Sequence, residues 1–268
     1  MEDCSKTLDE MNLPKTIYKY RTWTDNFHKQ IITEQVVFMA QPSTFEDKKD
    51  CKSLKRYDLL TDDDIRNKYL QDSNRNNPKF SFQQHTEYAE EKFKYSRMRD
   101  KENIKKLQLI DLEKFDKRIG VLSLTANPQN EAMWYKYSEN HKGFCVGFDT
   151  KKLFDKLGGG GLVSYHSTLP DILPFDSRKV EACKQIYCKE DRWAYEQEYR
   201  TQKFYPLEAT TADRRIIVPK DSYKEIIFGA KIPVLHLKEI MQLCKQEGLN
   251  VSFFRETLSG KEIKIDKI

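Results

Sequence analysis

Late in the chain, the run Trp193-Ala194-Tyr195-Glu196-Gln197-Glu198-Tyr199-Arg200 sets two carboxylates beside an arginine. Taken as a strand, its period of two places Trp193, Tyr195 and Tyr199 on one side and Glu196, Glu198 and Arg200 on the other. Successive side chains on one side stand roughly 6.5–7 Å apart, close enough for the carboxylates to perturb each other. Such a face suits chemistry that passes through a positively charged transition state. It suits a solvated Glu–Arg ladder equally, since ion-pair networks also gather charge. Two other segments add polar groups. Arg21 closes Thr16-Ile17-Tyr18-Lys19-Tyr20-Arg21, whose alternation sends Tyr18 and Tyr20 one way and Lys19 and Arg21 the other. In Val121-Leu122-Ser123-Leu124-Thr125, the hydroxyls of Ser123 and Thr125 share one surface while Leu122 and Leu124 face a core.

The elements that must position these groups read as an α+β chain. After the first strand, Thr24 is placed to cap a helix over 25–34 with Phe27, Ile31 and Ile32 on its apolar side, and 35–40 reads as a buried strand ended by Pro42. From 48 to 117 the composition turns charge-rich and aliphatic-poor, with helical stretches over 62–72 and 82–115 around the break Asn74-Arg75-Asn76-Asn77-Pro78. This predicts a helical insertion at 48–117 within a single α+β domain spanning 1–268. Asn127-Pro128 signals the start of a helix carrying Met133, Trp134, Tyr137 and Ser138, followed by a strand over 144–148. The glycines at 158–161 lack the Lys-Ser/Thr of a P-loop and the spacing of a dinucleotide fingerprint, and read as a flexible connection. The remainder alternates a strand at 163–166, a helix at 178–189, strands at 215–218 and 225–228, a helix at 235–246 and a strand at 251–254.

The 47 Lys and Arg against 42 Asp and Glu leave a net charge of +5, which permits nucleic acid as a partner without demanding it. No apolar run is long enough for a bilayer and the acidic opening is unlike a secretory leader, so the expected location is the cytoplasm, with no membrane partner. The six cysteines show no C-x-x-C spacing, and no metal site is predicted.

The chain order Arg21, then Ser123 and Thr125, then Glu196-x-Glu198 resembles the Arg–Ser–Glu signature of the ADP-ribosyltransferase superfamily. A second resemblance covers nearly the whole chain. Tyr18-Lys19-Tyr20-Arg21, Pro42-Ser43-Thr44-Phe45 with Asp47 and Asp50, Val121-Leu122-Ser123-Leu124-Thr125, Met133-Trp134 with Tyr137, His141-Lys142-Gly143, Gly147-Phe148-Asp149 and Trp193 with Glu196-x-Glu198-x-Arg200 are similar to a large bacterial family known as domain of unknown function twenty-nine seventy-one. Its members often sit near defence or toxin loci. The family's usual Phe-Asn-Asp-Pro-Phe-Asp stands here as Phe45-Glu46-Asp47-Lys48-Lys49-Asp50, which leaves the role of Asp47 and Asp50 open.

Together the resemblances imply a mixed or antiparallel split sheet around a cleft, ADP-ribosyltransferase-like, with the helical insertion. They imply an NAD-dependent ADP-ribosyltransferase acting on a macromolecular acceptor, RNA, DNA or protein, as a bacterial toxin or anti-phage effector with an antitoxin or defence-system partner. NAD would be the substrate. In that scheme Glu198 stabilises the ribosyl cation and Glu196 orients or deprotonates the acceptor. Arg21 grips a phosphate or ribose edge, Ser123 and Thr125 set the ribose pose, and Tyr20, Trp134 or Tyr137 stacks on a ring. Two alternatives stand beside it: NAD or nucleotide glycohydrolysis, and a non-catalytic module binding a nucleotide or a partner. Each residue also has a structural role open to it, Arg21 as an ion-pair partner of Asp47 or Glu198, and Trp134 and Tyr137 as core.

Overall fold

In the computed structural model, which describes residues 12–260 and 262–268, β1 (Thr16–Arg21) shows the expected alternation. Ile17 enters the main core, while Tyr18 and Tyr20 enter a smaller cluster on the opposite face with Trp134, Cys145 and Ile227. Helix α1 (Asn26–Thr33) is capped by Asp25 rather than Thr24, its Oδ1 accepting from the amides of Phe27 and His28 at 2.7 and 3.3 Å. Ile31 and Ile32 are buried, but Phe27 points outward. Strand β2 (Val36–Phe38) starts after Gln35, which takes a left-handed φ of 53° and folds its amide back onto the Ile32 carbonyl, and ends before Ala40, which bridges Val121 instead.

The charged segment forms α2 (Asp62–Asn76), α3 (Phe82–Lys94) and α4 (Lys101–Arg118). Capping boxes start α2 at Thr61 with Asp64, and α3 at Ser81 with Gln84. The single helix expected over 82–115 is two helices, because Asp100 supplies a new cap after Tyr95. Ser73 and His85 join α2 to α3 at 2.8 Å, and α4 is tied down by Tyr57 on Asp111 and by Gln108 on the Lys55 carbonyl, both at 2.7 Å. The predicted insertion boundary at residue 48 falls earlier than the first of these helices, and Asp50 belongs to the site described below.

Next come β3 (Ile119–Thr125), α5 (Glu131–Tyr137), β4 (Phe144–Asp149) and α6 (Thr150–Leu157). The cap of α5 is Asn130, three residues beyond the predicted one. Gly143 has no room for a side chain, since a Cβ there would lie 2.1 Å from the Arg21 carbonyl oxygen. Gly158 ends α6 in the left-handed conformation at φ 86°, a C-cap rather than a phosphate loop. The chain continues through β5 (Gly161–Leu162), β6 (Ser164–His166), α7 (Arg178–Ile186), β7 (Cys188–Glu190), β8 (Glu198–Phe204), β9 (Arg215–Ile217), β10 (Tyr223–Phe228), α8 (Val234–Gln246), β11 (Ser252–Ser259) and β12 (Glu262–Lys267).

Among the described residues, eight strands form one mixed sheet in the order β12-β11-β10-β4-β1-β3-β8-β5, in which only β10 and β11, joined through α8, run parallel. Two small sheets pair β2 with β9 and β6 with β7. Helices α1, α6 and α8 bury Ile31, Ile32, Leu153, Phe154, Ile240 and Cys244 against one face of the large sheet. Full burial of such side chains contributes roughly 1.5–3 kcal/mol each. On the other face, Trp134 of α5 packs on Tyr20, and Ile186 of α7 on Ile119 and Val121.

The sheet has a seam. β1 meets β4 at six register positions and β8 meets β3 at seven, but β1 meets β3 only where Tyr18 faces Thr125. Towards Arg21 the two strands part, and Val121 of β3 bridges Ala40 instead. The architecture is thus α+β with a mixed sheet. Among the described residues no helix is long and apolar enough to cross a membrane.

Candidate functional site

A cavity of about 540 Å³ occupies the seam, lined by Lys19, Tyr20 and Arg21 of β1, by residues 121–124 of β3, and by Tyr137, Lys189, Trp193, Glu196 and Glu198. That volume lies within the range of small-molecule clefts. Strand alternation delivers opposite charges to it. Lys19 and Arg21 share the face of Ile17, whereas Glu198 shares the face of its register partner Thr125.

The segment expected to be one strand is two elements. Residues Asp191–Glu196 form a 3-10 turn, Gln197 takes a left-handed φ of 45°, and only from Glu198 does β8 begin. Glu198 and Arg200 do share a face, as the period of two requires, but Glu196 reaches the cavity from the turn. Trp193 and Tyr195 sit on that turn, outside any strand face.

Glu198 and Arg200 are both buried. Arg200 Nε donates to Glu198 Oε1 at 2.7 Å, and its Nη2 donates to Oε2 at 2.9 Å. The same guanidinium holds Asp50 at two points and donates to the Ile186 carbonyl at 2.7 Å. Lys189 donates to Glu196 Oε2 at 2.6 Å and to Glu198 Oε2 at 3.1 Å, and lies 3.5 Å from Asp50 Oδ2. Tyr137 donates its hydroxyl to Glu196 Oε1 at 2.8 Å. Formally, the carboxylates of Asp50, Glu196 and Glu198 face the two cations Lys189 and Arg200, leaving one negative charge over.

Burial opposes the charge on Glu198, but Arg200 first and Lys189 second outweigh it and hold the carboxyl down at about 2. Burial would likewise strip Lys189 of its proton, and the Glu198 and Glu196 carboxylates keep it on. At Tyr137, burial together with Glu196 pushes the phenol up.

The opposite wall is cationic and far less satisfied. Lys19 spans the seam and donates to the Ser123 carbonyl at 2.6 Å; burial and then the neighbouring Arg21 charge lower its ammonium to about 7. Arg21 donates to the Tyr20 carbonyl at 3.3 Å, and burial lowers its guanidinium to about 10. His28, beside them, is lowered to about 4 by burial and the Arg21 charge. At the mouth, the Lys136 ammonium stands 4.2 Å from the centre of the Trp193 ring and 3.0 Å from the Glu46 carboxylate.

Of the residues singled out from sequence, Arg21, Tyr20, Ser123, Tyr137, Glu196 and Glu198 line this cavity. Thr125 and Trp134 do not, which corrects their expected place in ligand binding. Thr125 is fully buried, its hydroxyl donating to the Gln197 carbonyl and accepting from the Asn127 amide. Trp134 is core, stacked edge-on against Tyr20 with its indole nitrogen donating to the Pro128 carbonyl. Arg21 pairs with neither Asp47 nor Glu198; Asp47 pairs with Arg192, and Glu198 with Arg200 and Lys189. Sequence reasoning missed Lys19 and Lys189. The helix expected over 178–189 ends at Ile186, and Lys189 lies instead in the short strand Cys188–Glu190.

The carboxylate cluster lacks metal-site character because Lys189 and Arg200 already stand among its oxygens, and no group of His, Cys, Asp and Glu able to hold a metal occurs among the described residues. Residues 133–201, which carry Tyr137, Lys189, Glu196, Glu198 and Arg200, match the family described as "Protein of unknown function (DUF2971)", the family the motifs resemble. No curated protein and no solved structure matches the chain.

Proposed function

We propose that the seam binds NAD and that the protein is an ADP-ribosyltransferase acting on a macromolecular acceptor. One observation carries this: three strands adjacent in the sheet bring Arg21, Ser123 and Glu198 to one cavity, with cations on one wall and a net-negative carboxylate cluster on the other. NAD has the matching polarity, an anionic diphosphate at its centre and a nicotinamide-ribose end whose positive charge passes from the pyridinium ring to the ribose carbon as the glycosidic bond breaks and neutral nicotinamide leaves. Arg21 offers a planar fork to a phosphate, and Lys19 a second cation beside it. Glu198, kept ionised by Arg200 and Lys189, stabilises positive charge growing on the ribose carbon. Ser123 lines the same cavity with its hydroxyl bonded to Glu198, and would set the ribose pose from there. Glu196, oriented by Tyr137, directs the acceptor.

A specific observation favours hydrolysis as the second reading. Glu196 is buried at 3% exposure, so the acceptor it can activate is one small enough to enter the cavity, such as water. Incubation with NAD labelled in its adenylate half and a bacterial lysate separates these. Label on protein or nucleic acid supports transfer, free ADP-ribose supports hydrolysis, and unconsumed NAD overturns both.

A further inference from the structure

Two carboxylates that share a buried site do not both stay ionised without a cation between them. Arg200 cannot serve both. Its nitrogens are taken by Glu198, Asp50, the Ile186 carbonyl and the Cys51 sulfur, and its carboxylate ion pairs are with Glu198 and Asp50. Tyr137 gives Glu196 a neutral hydrogen bond only. Among the described residues, the cation paired with Glu196 is Lys189, and the same ammonium reaches Glu198.

We propose that Lys189 is a positioning residue that holds Glu196 and Glu198 side by side as a doubly ionised pair facing the cleft. The groups around it come from every neighbouring element: Asp50 from the loop before α2, Tyr165 from β6, Glu196 from the 3-10 turn with Tyr137 behind it, Glu198 and Arg200 from β8, and Lys19 across the seam. The indole of Trp193 lies alongside, its ring centre 5.0 Å from the ammonium, so the charge is screened from solvent on that side. Removing this ammonium leaves three carboxylates against one guanidinium, and the cheapest relief is for the Glu196–Glu198 pair to take up a proton. The catalytic consequence rests on the NAD reading. The positioning itself is measurable without substrate.

The test is a carbon-13 titration of the glutamate side-chain carboxyls in the wild type, Lys189→Met and Lys189→Arg, beside NAD consumption across the same pH range. In Lys189→Met, one carboxyl of the pair should titrate about one pH unit or more above its wild-type position, and Lys189→Arg should restore it. If the NAD reading holds, kcat in Lys189→Met should fall about tenfold or more with little change in KM, its acid limb moving up with the carboxyl. A carboxyl that titrates unchanged in Lys189→Met overturns the proposal. A shifted carboxyl in a protein that never consumes NAD upholds the positioning and removes the NAD reading alone. Should Lys189→Met not fold, Lys189→Met combined with Asp50→Asn removes one charge of each sign and allows the same titration.

Discussion

Arg200 and Asp50 lie 150 positions apart in the chain and meet in a two-point ion pair, Nη1 to Oδ1 at 2.8 Å and Nη2 to Oδ2 at 2.5 Å, with the arginine wholly buried. The contact fastens the loop before α2 to the strand that carries Glu198. Arg200→Met should therefore destabilise the fold by about 3–5 kcal/mol, because it strands two buried carboxylates. Arg200→Lys should recover little, since a point charge cannot satisfy Asp50 and Glu198 through parallel bonds. Urea unfolding of the three proteins measures this; a loss under about 1 kcal/mol in Arg200→Met would mean that the cluster is not structurally coupled.

Glu198→Gln keeps the size of the side chain and removes its charge. NAD cleavage should fall by about 10²-fold or more. Because the substitution also removes a carboxylate that Arg200 and Lys189 both bond, near-ultraviolet circular dichroism must show a native fold before the rate is compared. Wild-type turnover in a folded Glu198→Gln protein would exclude Glu198 as the cation-stabilising group.

The acid limb of stability follows from the same residue. Its carboxyl is lowered from 4.5 to about 2 in the folded protein, so its contribution is complete above 4.5 and is lost as the pH falls towards 2. Thermal melts from pH 6 downward should show Tm dropping through that window, and Glu198→Gln should flatten the drop. An equal slope in both proteins would assign acid sensitivity to other carboxylates.

Arg21→Lys retains charge and loses the fork. Calorimetric titration with NAD should show weaker binding with the melting temperature nearly unchanged, because among the described residues Arg21 forms no carboxylate ion pair. Normal NAD affinity combined with a much lower Tm would make Arg21 a structural residue.

Lys19 gives the cleft a pH dependence near neutrality. Its ammonium is lowered from 10.5 to about 7, so the native protein carries that cation below about 7 and sheds it above, while the unfolded chain holds it to 10.5. Between those values native stability gains as pH rises, and affinity for an anionic ligand such as ADP-ribose falls. Lys19→Arg should abolish the fall in affinity. Binding that is flat from pH 6 to 9 in the wild type would place the anion away from Lys19.

Much of this fold follows from local pattern. The alternation in β1 and β3 and the isoleucines of α1 predict their buried faces, and the residue types at Arg21, Ser123 and Glu198 predict which strands meet at the cleft. What escaped is non-local or conformationally unusual. Gln197 in a left-handed conformation has no glycine or asparagine to announce it, so the turn ahead of β8 read as strand. Trp134 at helical spacing suits a stacking platform and a core residue equally, and its full burial with the indole bonded to the Pro128 carbonyl decides for the core. Lys19 read as a strand position pointing with Arg21, yet its meaning depends on the parting of β1 from β3, which no single strand encodes.

The parting has a mechanical consequence. β4, β10, β11 and β12 travel with β1 as one hydrogen-bonded block, and β8 and β5 travel with β3 as another. Among the described residues, one ladder pair, Tyr18 with Thr125, the Lys19 bond to the Ser123 carbonyl and the Tyr20 hydroxyl bond to the Asn127 carbonyl join β1 to the β3 side. Widening the gap is thus a hinge-like swing about the Tyr18 end that spares every long ladder and works against side-chain bonds and the core both blocks share. A molecule that grips Arg21 with one end and Glu198 with the other would clasp the blocks together, and slower amide exchange at the Tyr18 end on binding would record the clasp closing.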